Sequence, residues 1–159
     1  MKKEITHELN IHSVAFAHNG NIPSIYTCEG ENINPPLEIS GIPAETKTLA
    51  LIAEDPDAPN GVFDHWLLWN IKPEKLITEN TDQGIKGKNG FGTVGYGGPC
   101  PPSGSHRYFF KIYALDTELN LEAGSDKIML LEAMKGHVIT MNELMGKYEK
   151  HKKVLNKNC

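Results

Sequence analysis

Short apolar runs separated by Pro, Gly and Asn fill the first hundred or so residues, a pattern that predicts strands joined by turns. "TLALIAE" (48–54) is almost continuously apolar, which predicts a central strand covered on both faces. "HWLLWNI" (65–71) predicts a second strand of the same kind. "RYFFKIYAL" (107–115) is aromatic and branched and predicts a third, while "PLEIS" (36–40) alternates more weakly. "NTDQGIKGKNGFGTVGYGG" (80–98) holds too much Gly for a helix and reads as a long loop, functional or mobile.

The pattern changes near residue 117. "SDKIMLLEAMKG" (125–136) predicts a helix capped by Ser125 or Asp126, with an apolar face of Met129, Leu130 and Met134 and Gly136 as its C′ terminator. "ITMNELMGKYEKHKK" (139–153) sets Met141, Leu144, Met145 and Tyr148 at helical spacing, so a second helix is expected, with the basic tail as its solvated end. The methionines read as core filler. The expected fold class is therefore mainly β (α+β), a β-rich domain closed by C-terminal helices.

Composition narrows the classes. At 159 residues, 39% hydrophobic and 23% charged, the chain suits one globular domain over 1–159. A net charge of −4 with scattered Lys and Arg argues against nucleic acid as a partner. No apolar run is long enough for a transmembrane helix, and "MKKEITHELN" lacks the apolar stretch of a secretory signal, so a cytoplasmic location is expected. Cys28, Cys100 and Cys159 then read as reduced thiols, with a Cys28–Cys100 bridge as the alternative if the two loops meet; Cys159 reads as exposed.

Two stretches concentrate chemistry. "EDPDAPNGVFDHW" (54–66) leaves the buried strand, and Asp55, Pro56, Asp57 and Pro59 make a good turn in their own right. "GYGGPCPPSGSHRY" (95–108) joins flexible and stiff backbone and then presents His106, Arg107 and Tyr108. Such a loop suits a tight corner or the wall of a binding site. His65 and His106 each open a strand after a Pro/Gly loop, so the loops are expected to share one rim. Convergence of Asp55, His65 and His106 would fit a metal site, an acid–base or nucleophilic site, or an anion pocket, and spacing does not choose among them. There is no GxSxG, no P-loop and no HExxH.

"DPDAP" before "HWLLWN", then "GPCPPSGSHRYFFKIYAL", closely resembles the phosphatidylethanolamine-binding protein family, which includes the Raf kinase inhibitor proteins. "YTCEGENINPPLEISGIP" (26–43) and "AMKGHVITMNELMGKY" (133–148) resemble its bacterial and archaeal branch, and the likeness runs from about 14 to 150. It implies a large antiparallel sheet packed on a smaller one, C-terminal helices, and a small anion pocket at one end of the sheet. Asp55, His65 and His106 match the family's pocket residues, and Tyr108 the aromatic after its His-Arg pair. Pro56 and Pro59 match the prolines that shape the pocket, Asp57 belongs to the same motif, and Gly98 and the run from Pro99 to Pro102 match the pocket wall. The resemblance further implies a cis Ala58–Pro59 bond.

Phe63 stands in a stretch shortened relative to eukaryotic relatives, which carry a pocket tyrosine there, and it brings no hydroxyl. Arg107 is expected to point away from Tyr108 by strand alternation and to make an internal salt bridge. The function implied is non-enzymatic binding of phosphate, a phosphorylated headgroup or a phosphorylated side chain, without cofactor or metal, and with a signalling role. Free phosphate would bind between about millimolar and tens of micromolar, more tightly as pH falls through the histidine range. The alternatives are a protein partner, a kinase or serine protease inhibited by docking, and a hydrolase built on Asp55, His65 and His106. Relatives suggest a homodimer.

Overall fold

A computed structural model describes residues 8–151. Its strands and single α-helix, in chain order, are β1 (Asn10–His12), β2 (Leu37–Ser40), β3 (Thr48–Asp55), β4 (Phe63–Ile71), β5 (Leu76–Ile77), β6 (Ile85–Lys86), β7 (His106–Leu115), α1 (Lys127–Met134) and β8 (Val138–Tyr148). They form two antiparallel sheets, β1-β2-β5 and β6-β4-β3-β7-β8.

The continuous apolar run of β3 is explained by its place at the middle of the larger sheet. Leu49, Leu51 and Ala53 face the smaller sheet, in one cluster with Leu37, Ile39, Trp66, Leu68, Phe110 and Ile112. Ala50 and Ile52 face the other way, against Leu67, Trp69, Leu130 and Met134. Both faces are thus dry, one under a sheet and one under a helix, and neither has room for a polar residue. In α1, Asp126 is the N-cap, its Oδ1 accepting from the Met129 amide at 3.0 Å. Leu130 and Met134 are buried as expected, whereas Met129 is exposed. Gly136 has φ +81°, as a C′ residue in the left-handed region does.

The second helix, expected over 139–153, is instead strand β8 as far as Tyr148; residues beyond 151 lie outside the described residues. Val138, Ile139 and Thr140 are poor helix formers, and Leu144, Gly146 and Tyr148 are buried at a period of two. β8 pairs with β7 from His106↔Tyr148 to Leu115↔Val138, and that ladder outweighs the helical spacing of the methionines. Gly146 is required by close packing: a Cβ there would lie 2.6 Å from Ile22 Cγ1 and 2.7 Å from Phe16 Cε2. Within 80–98, the expected loop contains the short strand β6, which pairs Ile85 and Lys86 with Trp69 and Leu68. No described peptide bond is cis, so Ala58–Pro59 is trans, the commoner X-Pro isomer.

Candidate functional site

Because neighbouring strands run antiparallel, the end of β3 lies beside the starts of β4 and β7. Asp55, His65, His106 and Tyr108 are therefore gathered at one end of the face that carries the main core. Alternation places His106, Tyr108 and Phe110 on that face, and Arg107 and Lys111 on the other. His65 reaches it through a bulge. The register passes from Ala53↔Trp66 to Glu54↔Asp64, so His65 has no partner on β3, and its ring turns to the inner face beside Trp66.

The four side chains line a cavity of about 280 Å³, together with Ala58, Pro59, Asn60, Gly61, Val62, Phe63, Phe91, Cys100, Pro101 and Pro102. Its floor is polar and its collar apolar. His106 Nδ1 lies 2.6 Å from Asp55 Oδ2, and the other carboxylate oxygen accepts the Asp57 amide at 2.7 Å. His65 Nδ1 lies 2.7 Å from the Gly97 carbonyl. Its ring meets those of Phe63 (4.9 Å), Tyr108 (5.2 Å) and Phe91 (5.6 Å). Burial in this aromatic nest holds the imidazole below its ordinary value, against the Gly97 carbonyl and the Asp55 charge, which favour protonation. Tyr108 is 2% exposed, and its hydroxyl is buried with no acceptor for its proton, the Cys100 amide being the backbone group that approaches the oxygen. Burial, with the nearby Asp55 charge, raises this phenol well above its usual range, so Tyr108 is a neutral O–H group.

The expected site residues divide into two groups. Asp55, Pro59, Pro102, His65, His106 and Tyr108 line the cavity. Pro56, Asp57, Gly98 and Pro99 do not. Pro56 faces a surface groove with Arg107 and Lys111. Asp57 accepts from the Arg107 amide (2.9 Å), Nε (2.9 Å) and Nη2 (2.8 Å), a fork that holds its carboxyl down at about 2 and ties the turn to β7. This is the salt bridge expected for Arg107.

Gly98 and Pro99 support the wall from behind. The Gly98 amide donates to Asn32 Oδ1 at 2.8 Å, the Cys28 amide donates to the Pro99 carbonyl at 3.1 Å, and the Tyr96 hydroxyl donates to the Tyr26 carbonyl at 2.7 Å. The contact is so close that a Cβ on Gly98 would lie 2.3 Å from the Tyr26 oxygen. These bonds bring Cys28 and Cys100 to a Cα separation of 5.4 Å, and the two form a disulfide. The expectation of reduced thiols is overturned for this pair, because the loops do meet; Cys159 lies outside the described residues.

Sequence reasoning missed part of the collar: Val62 and Phe91 were not selected, and Phe63 was noted only for its missing hydroxyl, whereas Cys100 and Pro101 fall within the run expected to form the wall. Phe91 and Val62 are half exposed, and a large apolar side chain at the tip of a Gly-rich loop was the signal available for the first. Among the described residues no three His, Cys, Asp or Glu side chains converge as metal ligands would. A larger, more open groove lies between 21–24 and 148–151, where Ser24 Oγ is 2.9 Å from His151 Nε2.

A two-sheet antiparallel fold with a small polar-floored cavity at the end of its larger sheet defines the class. Comparison with known sequences places the chain within it: residues 12–149 match the family described as PBP, Phosphatidylethanolamine-binding protein, and the chain belongs to that family. Relatives occur in archaea and bacteria. A UPF0098 protein of Methanothermobacter thermautotrophicus is 51% identical over 150 residues, covering 89% of this chain and 99% of that one. Another, from Archaeoglobus fulgidus, is 46% identical over 94% of this chain, which spans only 54% of that longer protein. The crystal structure of a phosphatidylethanolamine-binding protein homologue from Chlamydia trachomatis superposes with a TM-score of 0.88 at 43% identity, covering 91% of this chain and 99% of that one. Escherichia coli YbcL, described as a member of the mammalian PEBP family, gives 0.83 at 28% identity over the same shares.

Proposed function

We propose that the cavity binds a small anion, either phosphate or the phosphate of a headgroup or side chain, and that the protein acts by binding rather than by catalysis. The observation that carries this is the Tyr108 hydroxyl, buried in the cavity lining with no acceptor for its proton. A buried polar group without a partner costs stability unless a ligand or water completes it. An oxyanion would accept from Tyr108 and from a protonated His106 Nε2, while Asp55 fixes the His106 ring from behind. Two or three charge-assisted bonds at up to about 3 kcal/mol each, less about 4 kcal/mol for association, leave up to about 5 kcal/mol, a Kd near 0.2 mM for the bare ion. A physiological ligand would then gain further affinity from the apolar collar.

Nuclear magnetic resonance tests this. Phosphate titrated into labelled protein should shift the His65 and His106 ring signals and the Gly97, Gly98 and Cys100 amides in a saturable way. Shifts confined to surface lysines would overturn it.

A second reading, docking on a kinase or serine protease, is favoured by Val62 and Phe91, which are half exposed at the cavity mouth. Replacing both with Ser should abolish any such inhibition, and inhibition that survives in the variant would overturn this reading. A cytoplasmic location, in turn, requires a Cys28–Cys100 bridge that resists the cell's thiol pool, as in the disulfide-rich intracellular proteins of hyperthermophiles. Alkylation before lysis and mass spectrometry would read its state.

A further inference from the structure

The hydrogen bonds of the cavity floor fix which atoms give protons and which take them. A backbone carbonyl only accepts, so His65 Nδ1, 2.7 Å from the Gly97 oxygen, carries the proton. With the ring neutral, the lone pair is on Nε2, which makes no hydrogen bond to another side chain among the described residues, while the Gly98 backbone approaches the ring beside the Gly97 carbonyl. His106 Nδ1 likewise donates to Asp55 Oδ2. No Lys or Arg lines the cavity, and the nearest guanidinium, Arg107, is committed to Asp57. The floor therefore pairs an imidazole lone pair with a buried carboxylate, and no permanent positive charge faces the ligand.

A fully deprotonated tetrahedral anion brings only acceptors, so one of its oxygens would oppose the His65 lone pair. An anion that keeps one proton removes that conflict. Its hydroxyl donates to His65 Nε2, and its remaining oxygens accept from Tyr108 and from a His106 ring that carries a proton on Nε2 as well as on Nδ1.

We infer that the cavity selects the protonated monoanion of phosphate or of a phosphate monoester, with His65 as the acceptor of its P–OH proton, and that it discriminates against sulfate. This rests on the anion-binding role proposed above. The groups around His65 are Asp55 on β3, Asp64 beside it on β4 and paired with Lys127, Tyr108 on β7, the Gly97 and Gly98 backbone of the wall, and the rings of Phe63 and Phe91. The two carboxylates favour a proton near this ring, and burial disfavours a charge on it. A neutral acceptor that meets the proton on its ligand satisfies both.

The experiment compares inorganic phosphate with inorganic sulfate by calorimetry on the intact protein near pH 7, where sulfate carries no proton. An acceptor left unpaired, as sulfate would leave it, costs roughly tenfold to a hundredfold in affinity, so phosphate should bind tighter by that factor. In a second arm, a phosphomonoester is titrated near pH 8, above its second ionisation at about 6. Repeated in buffers of different ionisation enthalpy, the titration should report uptake of at least about one proton per ligand, the one retained on the phosphate, and up to about two where the His106 ring is also protonated on binding. In a third arm, the ¹⁵N shifts of His65 should show Nδ1–H and a bare Nε2 in the free protein.

Equal binding of phosphate and sulfate without proton uptake would overturn the selection and leave anion binding standing. An Nε2–H tautomer of His65 would overturn it as well. Binding of neither ion would overturn both this inference and the role on which it rests.

Discussion

Breaking the Cys28–Cys100 bridge should weaken the fold by an amount that its place in the chain sets. The two residues are separated by 72 positions. Loop-closure entropy gives about 3 kcal/mol for a 15-residue loop and about 4.7 for one of 100, hence about 4.4 kcal/mol here. The three hydrogen bonds that strap 96–99 to 26–32 persist after reduction, so the protein should stay folded with its wall less firmly held. Against a typical total of about 5–15 kcal/mol, this is a large share, equivalent to a fall in Tm of about 10 °C or more. Urea denaturation of the protein with and without a dithiol reductant, and of the double variant Cys28→Ser/Cys100→Ser, reads the difference. A thiol count under denaturing conditions provides the control: three cysteines less the two bridged leaves one reactive group. Three reactive thiols before reduction would show that the bridge is absent, and a loss below about 1 kcal/mol would show that it does not hold the fold.

Three further outcomes are expected. Burial raises the Glu54 carboxyl, but Lys111 and Lys127 outweigh it and hold the group below its ordinary 4.5. The stability it contributes is present above that value and is lost as pH falls through the lower folded one, so Glu54→Gln should flatten the acid limb of urea midpoints measured below pH 5. The Asp57 carboxyl should titrate near 2 by nuclear magnetic resonance and return towards 3.8 in Arg107→Ala, because the guanidinium fork is what lowers it; an unchanged value in the variant would count against the fork. Gly98→Ala drives a Cβ to within 2.3 Å of the Tyr26 carbonyl, so the wall must move, at a cost of about 1–3 kcal/mol in denaturation and with weaker phosphate binding.

How legible all this was differed by element. β3 and β4 could be read because both faces are apolar, and a run such as "TLALIAE" satisfies only a central strand. β7 announced itself by branched and aromatic residues, and its alternation correctly separated Tyr108 from Arg107. β8 could not be read by period: Met141, Leu144, Met145 and Tyr148 fit a helix, and only pairing with β7 made them a strand. Gly146, in the middle of that stretch, was the local sign that a helix was the poorer choice.

At the site, the polar floor was legible from two histidines that open strands after Pro/Gly loops. The bulge that turns His65 inward was not, because it depends on a register between strands. The bridge, the collar and the Gly97 contact were hidden for a related reason. Each joins segments far apart in the chain, and nothing in either segment alone specifies the other.

The claim at the centre of this account is that the cavity at the end of the large sheet is an anion pocket built on His106. The most direct test is calorimetric titration of phosphate and phosphoethanolamine into the wild-type protein and His106→Ala, with folding of both checked by denaturation. The account predicts saturable binding at or below about a millimolar in the wild type, weakened about tenfold or more in the variant. No heat from either ligand at several millimolar, or equal binding by the two proteins, would contradict it.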